Sequence, residues 1–239
     1  MARSDVVRRG PERLRVGTWR AGSRVGYLAP VGEVPPPTAS MVRHCCELLA
    51  ARGFGEVLTG ALSPVEQRGF LDAGFTVREP LHLLVHDLAD LPPTPPAPLR
   101  RARPADRPTV LAVDGAAFPP FWRLDAEGLA DALAATPTSR FRVAADEGVV
   151  GYAIVGRAAR RGYVQRLAVA PELQGAGLGQ ALVVDGLRWL RRRGAARAVV
   201  NTQVDNDRAR RLYESLGFRM APSGLAVLGR NLQVPAPAQ

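Results

Sequence analysis

Tyr163–Phe218 reads YVQRLAVAPELQGAGLGQALVVDGLRWLRRRGAARAVVNTQVDNDRARRLYESLGF, a strand, a glycine-rich turn, a helix, a strand and a second helix in succession. Apolar residues alternate over Tyr163–Val169, with Tyr163, Leu167 and Val169 on one side, so this piece is strand-like and ends at Pro171. The turn Gln174-Gly175-Ala176-Gly177-Leu178-Gly179 follows, and a helix begins at once. Leu182, Val183, Gly186, Leu187 and Leu190 share one face of that helix, while Asp185, Arg188 and Arg192 point the other way.

Glycines just ahead of a helix let successive backbone N–H groups converge, and the helix start adds partial positive charge. That combination suits a phosphate or pyrophosphate. A P-loop needs a lysine after its last glycine, but Gln180 follows Gly179 and the chain has no lysine. A dinucleotide fingerprint read from Gly175 fails at Gln180. What remains is Q-x-x-G-x-G, Gln174 to Gly179, which by itself also fits a glycine-rich helix start with no ligand. The context adds more. Beyond Gly194, an apolar strand at Ala198–Val200 runs into Asn201-Thr202-Gln203, and Asp205-Asn206-Asp207 supplies an N-cap. Ala209, Leu212, Tyr213 and Leu216 then mark one face of a short helix stopped by Gly217.

In this order and spacing the pieces resemble the GNAT superfamily of acetyl-CoA-dependent N-acetyltransferases. The resemblance rests on Leu167–Val169, the Gln174–Gly179 turn, Asn206 and the closing Leu212-Tyr213-Glu214-Ser215-Leu216-Gly217-Phe218. It implies a mixed α/β GNAT fold, a central twisted sheet flanked by helices, with acetyl-CoA as cosubstrate. Leu167, Ala168 and Val169 would pair with the pantetheine and hold the oxyanion. Gln174, Gly175, Ala176, Gly177, Leu178, Gly179 and Gln180 would cradle the pyrophosphate. Asn206 would bond the pantetheine arm, cap its helix, or do both. Tyr213 would be the general acid; its helical spacing alone would be met equally by an apolar residue. Many family members carry a carboxylate on the strand before the glycine turn. Here those positions are Tyr163 and Gln165, so the general base is missing, and water held by Gln165 or Asn201 is the substitute. A weak base favours an acceptor of low pKa, an α-amine or a similarly acidic small amine.

The chain ahead of this stretch repeats its layout. GFGEVLTGALSPVEQRGFLDAGF, ending at Phe75, parallels GAARAVVNTQVDNDRARRLYESLGF, ending at Phe218. The alignment sets Phe70 opposite Tyr213 and Ser63 opposite Asn206. Pro35-Pro36-Pro37 stands where the other half has its glycine turn, and prolines lack the N–H groups a phosphate needs. The expectation is a degenerate GNAT-like domain at 1–90 with residues 1–10 disordered, a proline-rich linker at 91–98, a catalytic domain at 99–234 and a tail at 235–239. The last strand, Leu225–Leu228, is assigned to the catalytic domain. Phe118, Phe121 and Trp122 form the densest aromatic patch. By the resemblance they wall the acceptor pocket; otherwise they pack between the halves.

The 239 residues are ample for a core and contain no apolar run of membrane-spanning length. The basic start has no apolar stretch behind it, so a cytoplasmic protein is expected. The net charge is +10 and all 32 basic residues are arginine. They are spread out and not interleaved with aromatics, which argues against nucleic acid and reads mainly as solvated faces. His44, His82, His86 and the adjacent Cys45-Cys46 match no metal spacing, so no metal is expected. The competing class is a non-catalytic acyl-CoA-binding regulatory or scaffolding protein.

Overall fold

The computed structural model describes residues 5–20, 23–31 and 35–232. The strands are β1 (Asp5–Arg9), β2 (Glu12–Thr18), β3 (Val25–Pro30), β4 (Glu56–Leu62), β5 (Thr76–His86), β6 (Leu99–Arg101), β7 (Thr138–Ala145), β8 (Val149–Ala158), β9 (Arg161–Val169), β10 (Arg197–Gln203), β11 (Arg219–Met220) and β12 (Leu225–Asn231). The helices are α1 (Ala39–Ala51), α2 (Pro64–Leu71), α3 (Arg107–Ala117), α4 (Ala126–Ala134), α5 (Leu178–Arg192) and α6 (Asp207–Ser215). The chain divides into two compact units. The first holds residues up to His82 together with Pro222 onward; the second is Leu83–Ala221.

In the second unit the strand order is β5-β10-β9-β8-β7-β6, with β11 on β5. β9 and β10 are parallel, whereas β6 to β9 pair antiparallel, so the sheet is mixed. Alternation along β8 buries both faces. Tyr152 and Ile154 join the cluster of Val110 and Leu129 from α3 and α4. Ala153 packs with Leu182, and Val155 with Val183 and Leu187, all from α5. Gly186 of α5 sits so close that an added Cβ would lie 2.6 Å from Val155.

Two irregularities shape the middle of this sheet. Ile154 pairs with Arg166 but Val155 with Val164, so Gln165 is an extra residue, a β-bulge. The β9–β10 ladder runs only from Arg161↔Arg197 to Tyr163↔Val199. Beyond that pair the strands part. The bulge and the fork therefore coincide within two residues.

The first unit repeats the topology. Its order is β1-β2-β3-β4-β12-β5, and β3–β4 is a parallel pair, as β9–β10 is in the second unit. Gly74 and Gly217 both end their helices at left-handed φ, +84° and +92°. Phe75 N–H donates to Phe70 O (3.1 Å), and Phe218 N–H to Tyr213 O (3.0 Å). The counterpart of Leu212 is Gly69, where an added Cβ would lie 1.8 Å from the Pro37 carbonyl oxygen. Helix α2 is thus pressed onto the proline segment.

Three expectations need correction. The boundary falls inside β5, not at residues 91–98, because Leu84 and Val85 pair with β11 in the second unit. The last strand belongs to the first unit. β12 pairs with β4 and with Thr76–Leu81 of β5, and its Ala226 and Leu228 sit in the first unit's core. Residues 5–9 are a strand, not disordered: they pair with Glu12–Val16 around Gly10, and Val7 packs on the core. The first four residues of the expected disordered start and the tail at 235–239 lie outside the described residues.

Cys45 and Cys46 are structural. Burial pushes their thiols up to about 12 and about 11, and both lie in the first unit's core. At pH 8 almost no thiolate is available. Iodoacetamide should therefore leave the folded protein unlabelled and modify both cysteines in denaturant. Fast labelling of the native protein would contradict this packing.

Candidate active site

The glycine turn and the ends of β9 and α6 enclose a cleft of about 450 Å³ in the second unit. Gly175 and Gly177 hold left-handed φ values of +96° and +82°, which only glycine adopts without strain. An added Cβ at either would meet nothing within 4 Å, so the turn faces open space. The first bond of α5 runs from Ala181 N–H to Gly177 O (2.9 Å). The amides of Leu178, Gly179 and Gln180 precede it and have no acceptor inside the helix. They are the donors an anion would use. Gln174 ties the turn to the strand: its Nε2 donates to Val169 O (3.0 Å), and its Oε1 accepts from Arg208.

The structure brings most of the expected cofactor residues together. Leu167, Ala168, Val169, Gln174, Gly175, Gly177, Gly179, Gln180 and Asn206 all line the cleft. Ala176 and Leu178 do not; Leu178 packs toward Leu182. Asn206 caps α6, its Oδ1 accepting from Ala209 N–H at 3.0 Å, while also facing the cleft. Of the aromatic patch, Phe118 lines the cleft and Phe121 and Trp122 do not; those two rings meet edge to face 5.0 Å apart.

Tyr213 lies beside the cleft, not in its wall. It is buried, in the cluster that includes Val164 and Val200, the residues just past the last β9–β10 pair. The Phe218 ring packs on it at 5.4 Å. Burial pushes the phenol well above its ordinary value, with Arg166 pulling the other way. It therefore keeps its proton at neutral pH.

The general-base candidates are not in the cleft either. The Gln165 side chain leaves the bulge toward Thr136 (Nε2 to Oγ1, 3.4 Å), and its Oε1 is buried without a hydrogen-bond partner. No Asp or Glu lines the cleft among the described residues. Arg208 and Arg211 do, and both were read from sequence as solvated charges. Their spacing by three on α6, with Leu212 and Ser215 on the same side, was the available signal.

Sequence reasoning also missed the buried network behind the aromatic patch. Asp114 of α3 is fully buried and accepts from Arg166 twice (Nε 2.7 Å, Nη2 2.8 Å), from the Tyr152 hydroxyl (2.5 Å) and from Leu124 N–H (2.7 Å). Arg166 also donates to Trp122 O (2.6 Å) and lies over the Phe118 ring, 3.5 Å from its centre. One ion pair thus fixes both ends of the Phe118–Trp122 segment. Burial, then the Asp114 charge, push the Tyr152 phenol above its ordinary range.

His86 is committed elsewhere. Its Nδ1 accepts from Leu88 N–H (2.8 Å), so Nε2 carries the hydrogen and donates to Leu216 O (3.0 Å). Among the described residues no cluster of His, Cys, Asp or Glu could hold a metal ion, and no helix is long and apolar enough to cross a membrane.

Residues 108–218 match the acetyltransferase (GNAT) family. A mycothiol acetyltransferase of Acidothermus cellulolyticus is 50% identical over 58 residues, which are 24% of this chain and 18% of that protein. N-alpha-acetyltransferase 30 of Schizosaccharomyces pombe is 41% identical over 58 residues, 24% of this chain and 39% of that one. These relatives are therefore matched over well under half their length. Among solved structures, a tandem GNAT protein from the clavulanic acid biosynthesis pathway superposes with a TM-score of 0.68 at 14% identity, covering 98% of this chain and 83% of that one. A GCN5-related N-acetyltransferase from Sphaerobacter thermophilus gives 0.64 at 18% identity, covering 92% and 76%. Residues 108–218 are thus similar to the GNAT acetyltransferases, and the fold is the GNAT fold.

Proposed function

We propose that the second unit moves the acetyl group of acetyl-CoA to a primary amine, an α-amine or a similarly acidic small amine. The observation that carries this is the open glycine turn with its free helix-start amides, flanked by Arg208 and Arg211 and continuous with the forked β9 edge. The amides and guanidiniums suit a pyrophosphate. The unpaired β9 edge at Leu167–Val169 suits an extended pantetheine and offers backbone donors to the developing oxyanion. The amine nitrogen attacks the thioester carbon directly; the N–C bond forms and the C–S bond breaks. The amine's proton passes to solvent water, Tyr213 protonates the departing thiolate, and a proton from solvent restores its phenol.

The acceptor class follows from the cleft's lack of a carboxylate. Deprotonating a lysine-type amine at pH 7 costs about 4–5 kcal/mol, against about 1 kcal/mol for an α-amine. Without a strong base the second is the tolerable one. The likeness to an N-alpha-acetyltransferase is in keeping with this. The first unit is read as a GNAT-like half without a cofactor site, because Gly69 and Pro37 close onto each other where the second unit keeps its cleft.

Calorimetric titration with acetyl-CoA tests the reading, with Gly177→Glu as control. The new side chain enters open space in front of the turn, adds strain at φ +82° and brings a negative charge. Binding should weaken by at least about tenfold, since charge-assisted bonds are worth roughly 1.5–3 kcal/mol each. No binding by the wild type would overturn the proposal. A second reading, a non-catalytic acyl-CoA-binding protein, is favoured by one observation: Tyr213 and, among the described residues, every carboxylate stand outside the cleft wall.

A further inference from the structure

A second concavity in the second unit, about 720 Å³, shares no lining residue with the cleft. It forms where β6, the start of α3, β7 and the end of α5 meet. Arg101, Arg103, Arg107, Arg140, Arg142 and Arg193 all face it. A solvated arginine surface lets its charges diverge, because like charges repel. Here they converge on one hollow.

One carboxylate serves this group. Asp185 accepts from Arg140 through both oxygens (2.7 and 2.8 Å) and lies 3.4 Å from Arg142 Nε. That Nε is buried and has no hydrogen-bond partner. Among the described residues, Arg101, Arg103, Arg107 and Arg193 form no ion pair. Asp106, the acid nearest the first three in sequence, is held by both Arg100 Nη1 and Nη2 (2.7 and 2.8 Å). Asp106 also accepts from Arg103 N–H (2.6 Å) and feels the Arg103 charge, but with six arginines facing it the hollow keeps a net positive field. Thr138 and Ser139 add hydroxyls, and Pro104, Leu133 and Phe141 add an apolar side.

We propose that this hollow binds a small molecule of nucleotide size carrying two or more linked phosphates. Guanidinium forks match phosphate oxygens bidentately, and several forks on one hollow need several phosphates to neutralise them. The volume is that of a small-molecule site. The apolar side accommodates a base or similar ring next to the phosphates. A nucleic-acid strand would instead be served by an extended track of cations, whereas here the arginines converge on one hollow that also holds the Phe141 and Trp189 rings.

The test is calorimetry on the full chain at low salt with ATP, tripolyphosphate and AMP as probes. Arg103→Ala/Arg107→Ala removes two exposed side chains that pair with no carboxylate, so the fold is not at risk. The expected result is binding of ATP and tripolyphosphate with Kd on the order of micromolar, and AMP weaker by at least about tenfold. The double variant should bind ATP at least about tenfold more weakly while keeping its acetyl-CoA affinity. Gly177→Glu should leave ATP binding unchanged, which separates this hollow from the acetyl-CoA cleft. No ATP binding would overturn the proposal. So would ATP binding lost in Gly177→Glu, which would put the nucleotide in the cleft. Binding of oligonucleotides alone, tightening with length, would also overturn it by making the face a nucleic-acid surface.

Discussion

Asp114→Asn is expected to destabilise the second unit by about 3–5 kcal/mol, the usual consequence of removing one partner from a buried ion pair. The replacement is nearly isosteric, so little of the loss is a cavity effect. What changes is charge and donor–acceptor sense. Arg166 keeps its charge in a site where only 12% of its side chain is exposed, and an amide NH2 faces donors from Arg166, Tyr152 or Leu124. Denaturant unfolding followed by fluorescence reads the effect. A loss below about 1 kcal/mol, the level of a surface pair, would show that the network is solvated and not the anchor described above. The same variant should loosen the Phe118–Trp122 segment, because Arg166 holds Trp122 O and the Phe118 ring. Acetyl-CoA affinity should change less than the Michaelis constant for the amine.

Tyr213→Phe is expected to leave stability and acetyl-CoA affinity nearly unchanged while lowering kcat by about 10²–10⁴-fold, the range for losing a general acid. Stability should hold because the hydroxyl makes no hydrogen bond among the described residues and the ring stays in the cluster with Phe218. Phenylalanine occupies the equivalent place in the first unit, at position 70, and is fully buried there. CoA release with an α-amine acceptor, followed against pH, gives the measurement. Because burial holds the phenol above its ordinary value, the wild type should show no alkaline fall in rate from Tyr213 across the neutral range. Unchanged turnover in the variant would remove Tyr213 from the mechanism and favour a binding protein.

The glycine turn, both helices after it and the internal repeat were legible because each is a local pattern. Left-handed glycines, a capping residue and helical spacing lie within a few positions of one another. Asp114 and Arg166 were not legible. They are 52 residues apart, and a lone aspartate on an apolar helix face carries no mark of its partner. The bulge at Gln165 was hidden for a related reason. The alternation of Tyr163, Leu167 and Val169 reads as regular, and only the pairing with β8 shows the extra residue. The fate of the last strand escaped because β12 is an ordinary apolar run. Where a strand goes is decided by which edge is vacant, and that is a property of the assembled sheet.

β12 fills the place between β4 and β5 in the first unit, while Leu84 and Val85 pair with β11 in the second. Each half of the chain has lent a strand to the other's sheet. A fragment beginning at Leu99 would own a β12 with no slot to enter and would lack the residues that cover β11. The complementary fragment would be left with a gap at the centre of its sheet, an exposed template for pairing with other chains. On this plan a cut at the proline-rich segment separates neither unit cleanly; the ends of the second unit lie at Leu83 and Ala221.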